Sequence, residues 1–305
     1  MKNNCNIICV LGATATGKTE LAANLAYQLD TEIISADSRQ VYKDMDIGTG
    51  KDIDDFYIKN KQIPYHLINI LEAGEKYNVY RYQKDFLKVF ADLKNRNKVP
   101  IIVGGSGLYI EAVLGGFKLI YVPRNEILRD EIEKKEMHEL IEILKNIKKT
   151  HNVSDSDTKK RIIRAIEIET YYQKNDIKDF SYPEIKAKFI GIKFDRKNRR
   201  KRITKRLKKR LDEGMIEEVQ SILKKGIDPM DLIYYGLEYK FITLFLLKKI
   251  SYNKMFEELN IAIHRFAKRQ MTWFRRMEKQ NYKINWIDGN LSLEKKLKIS
   301  NDIIS

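Results

Sequence analysis

Gly12, Gly17, Lys18 and Thr19 fit G-x-x-x-x-G-K-[ST] residue for residue, and the residues between them are Ala13, Thr14, Ala15 and Thr16. Glycines there let successive backbone N–H groups converge on phosphate oxygens at the positive end of a following helix. In such a loop Lys18 neutralises the terminal phosphate, and the Thr19 hydroxyl is the expected ligand of Mg²⁺. Asp37, in "IISADSRQVY", is a second candidate. A carboxylate is ionised at neutral pH and can hold a metal or take a proton from a nucleophile. An Asp–Ser pair also makes a good turn, so a purely structural role stays open. Ser106, in "GGSGLY", brings a hydroxyl among glycines that permit close backbone approach. A simple ATPase usually places an acidic residue where this strand ends, and here there is none.

These groups need a scaffold that delivers them to one edge. Three short apolar runs, residues 7–11, 31–35 and 99–104, read as buried parallel strands, with helical patterns such as 79–97 between them. A fourth candidate strand is 187–194. The expected fold is therefore α/β, a parallel sheet flanked by helices. Residues 122–185 are charged and helical, beginning one helix with Ser/Asp cap chemistry near 154–157, and read as a helical insertion. The last third also reads as helical. Cys5 and Cys9 lie in the first apolar run without a metal-binding spacing, which suggests buried thiols. His66, His138, His151 and His264 have no catalytic spacing. No apolar stretch approaches the roughly 20 residues of a membrane span, so a soluble, cytoplasmic chain is expected.

The charge points to a partner. Lys and Arg total 58 against 42 Asp and Glu, a net of +16, and such an excess favours a polyanion. It is clustered: residues 195–211 carry eleven Lys or Arg and one Asp. Ile203, Leu207, Leu211, Met215 and Val219 recur every fourth residue, giving an inward stripe surrounded by cations. In 256–277, Leu259, Ile263, Phe266, Gln270 and Trp273 form the expected core stripe. Arg265, Lys268, Arg269, Thr272, Arg275 and Arg276 fall on another face at a spacing that suits a phosphodiester backbone. Lys160, Arg161 and Arg164 add a third basic surface. RNA is a better fit than duplex DNA, since no helix-turn-helix or zinc-finger pattern occurs.

Taken in order, these segments resemble the tRNA dimethylallyltransferase (tRNA isopentenyltransferase) family, bacterial type. The likeness rests on "GATATGKT" (12–19), with Ala13 where the family has proline, "DSRQVYKDMDIGTGK" (37–51), "VGGSGLY" (103–109), "KRIIRAIE" (160–167) and "AKRQMTWFRR" (267–276). The segment "YYGLEYKF" (234–241) departs from the family pattern.

The resemblance implies a P-loop NTPase-like core over residues 1–121 and 186–305, and a tRNA-binding insertion over 122–185. It implies transfer of a dimethylallyl group from dimethylallyl diphosphate to N6 of the adenosine 3′ of the anticodon, with Mg²⁺, by a monomer. Asp37 would be the general base, Ser106 would bond near the reacting groups, and Arg202 would bind the diphosphate together with residues 12–19. Contacts to tRNA would come from Asp37, Ser38, Arg39 and Gln40, from Ser106 and Arg129, and from Lys160, Arg161, Ile162, Ile163 and Arg164. Arg265, Lys268, Arg269, Thr272 and Arg275 would add others. Two enzymes remain as alternatives, an adenylate isopentenyltransferase acting on free AMP or ATP and a P-loop small-molecule kinase; a non-catalytic RNA-binding protein is a third.

Overall fold

The computed structural model describes residues 5–147, 158–175 and 181–305. Among these residues eight strands follow chain order: β1 (Ile7–Gly12), β2 (Ile33–Ser35), β3 (Tyr57–Ile58), β4 (Lys61–Gln62), β5 (Tyr65–His66), β6 (Ile101–Gly104), β7 (Ala187–Lys193) and β8 (Ile284–Asp288). Six build one parallel sheet in the order β5-β2-β6-β1-β7-β8, and β3 with β4 makes a small antiparallel hairpin. β1 is central, paired with β6 (Ile8 opposite Ile101) and with β7 (Leu11 opposite Gly191).

The continuous apolar run of β1 follows from that position. Ile7, Cys9 and Leu11 belong to one core and Ile8 and Val10 to another, because alternate side chains leave opposite faces of the sheet. The Ile8 side is covered by α1 (Lys18–Gln28) and α12 (Leu293–Ile304). The Ile7 side is covered by α2 (Val79–Asn95), α3 (Gly107–Leu114) and the α7 to α11 array. That array comprises α7 (Arg196–Asp212), α8 (Met215–Lys224), α9 (Pro229–Tyr235), α10 (Leu237–Leu246) and α11 (Tyr252–Lys279). Cys5 and Cys9 are buried and free, and burial pushes the Cys9 thiol up.

Helix boundaries follow local chemistry. Asn78 caps α2 by accepting from the Arg81 N–H (2.9 Å), and Asp195 caps α7 by accepting from the Asn198 N–H (2.9 Å). Gly214, at φ 97°, separates α7 from α8, so the four-residue stripe expected to run unbroken is shared by two helices. Neither the β3–β4 hairpin nor two strands of the main sheet were anticipated. β5 has only two residues, and β8 lies in a segment expected to be helical. β8 is an edge strand, and Trp286 reaches Gly191 of β7, where a Cβ would come within about 2.5 Å of the indole.

Lys118–Pro183 forms a separate compact unit; the expected bounds were 122 and 185. Its described helices are α4 (Glu126–Ile132), α5 (Met137–Ile147) and α6 (Lys159–Lys174), which enclose Ile132, Leu140, Leu144, Ile162, Ile163 and Ile166. The Thr158 hydroxyl caps α6; the Ser/Asp cap expected at 154–157 lies outside the described residues, as does His151. Among the described residues no helix is long and apolar enough to cross a membrane.

Candidate active site

The glycine loop leaves β1 at the carboxyl edge of the sheet and closes on α1. Gly12 has no room for a side chain: a Cβ would lie 2.8 Å from the Ile192 carbonyl oxygen and 2.9 Å from Thr16 Oγ1. Thr16 is buried and its hydroxyl donates back to the Ala13 carbonyl (2.9 Å), holding the loop in shape. Gly17 takes φ 78° immediately before the helix, a value that favours glycine. Lys18 is drawn into the loop, 3.5 Å from the Ala13 carbonyl. Burial, with the Arg206 charge nearby, pulls its ammonium down to about 8, while Asp37 and Asp52 oppose that shift. A phosphate arriving there would restore the charge.

Asp37 lies two residues past β2 rather than at its end. Its Oδ1 accepts from the Arg39 N–H (2.8 Å), so the turn expected of an Asp–Ser pair is present. Oδ2 has no hydrogen-bond partner among the described residues. The turn is joined to the end of β6: the Ser38 N–H donates to Ser106 Oγ (3.4 Å), and the Ser106 N–H to the Ala36 carbonyl (3.4 Å). A Cβ on Gly104 would collide with the Ala36 backbone, so this close approach requires glycine. Asp37, Ser106 and the Lys18 loop therefore share one edge of the sheet.

Three of the cations of α7 reach the loop or Asp52 beside it. Arg202 Nε donates to the Ala15 carbonyl (2.9 Å), and its guanidinium lies 4.6 Å from the Phe194 ring centroid. Arg206 Nη1 reaches Thr14 Oγ1 (3.4 Å), and Nη2 pairs with Asp52. Arg210 is buried, 3.6 Å from Asp52, and lies against Gly50 at φ 67°. A cavity of about 20 Å³, room for a single water, is lined by Thr14, Arg206, Arg210 and Glu238 among others. Burial raises the Glu238 carboxyl, and Arg210 works against that.

Two supporting groups carried no recognisable chemical signal in the sequence. The first is Gln270, which the spacing put in a packing stripe. It is 7% exposed, and its carboxamide accepts from the Thr14 N–H (2.9 Å) and donates to the Gly105 carbonyl (3.0 Å). One side chain thus ties α11 to the phosphate loop and to the end of β6. The second is Glu218 of α8, whose carboxylate accepts from the backbone N–H groups of Asp46 (2.8 Å), Ile47 (2.6 Å) and Gly48 (3.0 Å). With Lys51, which donates to the Tyr42 carbonyl (2.5 Å), it builds the "DIGTGK" segment that supplies Asp52.

Several expected contact residues have other employment. Ile162 and Ile163 are buried in the core of the second unit, so their side chains pack rather than touch a ligand. Arg129 makes a two-pronged bond to Glu167 (2.9 and 2.8 Å), and Arg164 bonds to Glu167 and to the Val122 carbonyl (2.9 Å). Burial pushes the Glu167 carboxyl up, but Arg129, the Asn125 N–H and Arg164 outweigh it and hold it at about 2. Gln40 accepts from Ser35 Oγ (3.1 Å) and donates to the Gly50 carbonyl (3.0 Å), serving the loop.

On α11 the buried stripe is Met255, Leu259, Ile263, Ala267, Gln270, Phe274 and Met277. Phe266, expected in the core, is 37% exposed with the Arg269 guanidinium 5.9 Å from its ring centroid. Arg276, expected on the cationic face, pairs with Glu111 and sits 4.0 Å from the Trp273 ring centroid. Arg265, Lys268, Arg269, Thr272 and Arg275 are exposed, as are Lys160 and Arg161 except that Lys160 and Arg161 belong to the separate unit.

The sequence profile described as IPP transferase matches residues 40–277, and one described as isopentenyl transferase matches residues 5–74. The chain is 53% identical over 292 residues to a Bacteroides fragilis protein named tRNA dimethylallyltransferase 2, covering 96% of this chain and 95% of that one. It is 56% identical over 291 residues to tRNA dimethylallyltransferase 1 of Parabacteroides distasonis, covering 95% of each. The crystal structure of the tRNA isopentenylpyrophosphate transferase of Bacillus halodurans superposes with a TM-score of 0.71 at 28% identity, covering 98% of this chain and 95% of that one.

Proposed function

The chain belongs to the IPP transferase family, whose relatives are named tRNA dimethylallyltransferases, and we propose on that premise how its own residues carry out the transfer. The fold is accordingly the P-loop NTPase-like one, and the protein is a prenyl-transferring enzyme that modifies tRNA. The prenyl donor in this reading is dimethylallyl diphosphate, and the acceptor is N6 of the adenosine 3′ of the anticodon.

The observation that carries this reading is the union of two chemistries at one edge: a free carboxylate oxygen on Asp37, and a phosphate loop whose Lys18 feels the Asp37 charge. Diphosphate leaves poorly until its growing charge is met, and donors already aimed at that charge lower the barrier. The loop N–H groups, Lys18, Arg202 and Arg206 would meet it. The half-exposed Thr19 hydroxyl is a hard oxygen donor of the kind that suits Mg²⁺, an ion that keeps most of its ligands as water and phosphate oxygens. Bound there, the ion would supply further neutralisation of the diphosphate.

At the other end of the reacting axis, the adenine amine is a weak nucleophile because its lone pair feeds the ring. Asp37 would accept the N6 proton on Oδ2 as the C–N bond forms and the C–O bond to diphosphate breaks. Oδ1 stays bonded to Arg39, which fixes the carboxylate plane. Ser106, held by the Ser38 N–H, would keep a hydroxyl beside the reacting groups. The exposed cations of α11, and separately Lys160 and Arg161 of the second unit, would meet the phosphodiester backbone.

Incubation with dimethylallyl diphosphate, Mg²⁺ and either unmodified tRNA or AMP tests the assignment by product mass. We expect the isoprenyl increment on tRNA alone, with Asp37→Asn lowering kcat by roughly 10² to 10⁴. Prenylation of AMP alone, or phosphoryl transfer from ATP, would overturn it.

A further inference from the structure

Against Arg39, whose N–H orients Asp37, stands an aromatic residue that the transfer chemistry above leaves unused. Tyr234 ends the penultimate position of α9, inside the segment that departs from the family pattern. It is 51% exposed, and its hydroxyl makes no hydrogen bond among the described residues. What fixes it is its neighbour. Tyr235 is buried, its hydroxyl accepting from the Gly74 N–H (2.6 Å) and donating to the Glu75 carbonyl (2.8 Å), with its ring 4.4 Å from that of Tyr42. Gly236 follows at once, so α9 stops there and Tyr234 is presented from a braced helix end.

The Arg39 guanidinium lies 5.3 Å from the Tyr234 centroid, and the Arg39 N–H is the donor that orients Asp37. Buried Tyr109, which feels the charges of Arg39 and Asp37, stacks on Tyr82 at 4.3 Å nearby. A flat cation two residues from the proposed base, and an aromatic ring in contact with that cation, are the two side-chain types on which unstacked bases settle. An exposed tyrosine with a free hydroxyl adds little to the core, so packing does not account for its placement.

We propose that Tyr234 and Arg39 form the stacking element that receives the extruded adenine and sets its N6 over Asp37. This rests on the tRNA-prenylation reading and adds to it a residue that positions the acceptor. An extruded base has lost its neighbours in the loop, and a new π-face replaces that stacking. Contact with the ring and guanidinium faces would leave the exocyclic edge pointing at the carboxylate.

The test compares the full-length protein with Tyr234→Ala and Tyr234→Phe on unmodified tRNA. We expect Tyr234→Ala to lower kcat/KM for tRNA by roughly ten- to a hundredfold. Tyr234→Phe should restore most of it, because the ring and not the hydroxyl is used. KM for dimethylallyl diphosphate and the salt dependence of tRNA binding should not move. An anticodon stem-loop carrying 2-aminopurine at the target position gives a readout free of chemistry. Its fluorescence should be quenched on binding to the wild type and to Tyr234→Phe, and not on binding to Tyr234→Ala. Equal kcat/KM in wild type and Tyr234→Ala, or a loss in Tyr234→Phe as deep as in Tyr234→Ala, would overturn the stacking role while leaving prenylation intact. If the wild type prenylates no tRNA, the functional reading fails first and this one falls with it.

Discussion

Helices α7 and α11 have similar basic character in sequence, but α7 sends arginines to the phosphate loop where α11 sends a glutamine. The arginines of α7 at 202, 206 and 210 converge on the phosphate loop and on Asp52, where each is partly consumed by an acceptor of the protein. On α11 the cations at 265, 268, 269 and 275 remain exposed, while the polar group that serves the loop is the uncharged Gln270 on its buried stripe. A high local charge therefore does not by itself mark a nucleic-acid surface. Cations that face carbonyls and a carboxylate around a loop are set for a compact anion, and cations spaced one turn apart in water are set for an extended one.

The comparison can be broken most forcefully at Arg206. Arg206→Ala should lower kcat by roughly 10² to 10³, the scale for removing one donor to a developing anion, with tRNA affinity unchanged in a filter-binding titration. A comparable loss of tRNA affinity would erase the distinction between the helices. Gln270→Ala comes next. It leaves the Thr14 N–H and the Gly105 carbonyl without their partner, and should cost about 2 kcal/mol of stability in denaturant unfolding.

Lys18 sharpens the α7 side through pH. Its ammonium is held down at about 8 in the free protein, and a bound diphosphate favours the charged form. Affinity for dimethylallyl diphosphate should therefore fall as pH rises above about 8, by at most tenfold per unit, with net proton uptake seen by calorimetry in buffers of different ionisation enthalpy. Lys18→Ala should abolish that component. The smallest effect is reserved for α11. Lys268→Gln combined with Arg269→Gln should flatten the log–log salt slope of tRNA binding by about 1.4, from roughly 0.7 per lost contact to a single strand. The rate at saturating tRNA should stay within twofold.

The central strands were legible because strands buried on both faces must be apolar along their buried length, as β1, β6 and the Phe189–Ile192 stretch of β7 are. β8 escaped because an edge strand with one partner can carry "INWID", where half-exposed polar residues blur the pattern. The phosphate loop was readable residue by residue, since its spacing is itself the mechanism. Side-chain direction was not. Nothing in "KRIIRAIE" says that Arg164 turns inward to Glu167 while Lys160 and Arg161 do not, because helical spacing assigns a face without naming what packs on it. Asp52 and Glu218 gave no signal at all, since their partners lie more than 150 residues away in the chain.

The carboxamide of Gln270 has one further mechanical meaning. It holds a loop amide with one end and a strand-end carbonyl with the other, while rooted in a rod of 28 residues whose outer side is bare and cationic. Sliding or rolling that rod would have to drag the nucleotide-type cradle with it or snap both bonds. A pull on the outer side would thus reach the cradle's shape through this amide, alongside the bonds of Trp273 and Arg276 to Glu111 of α3.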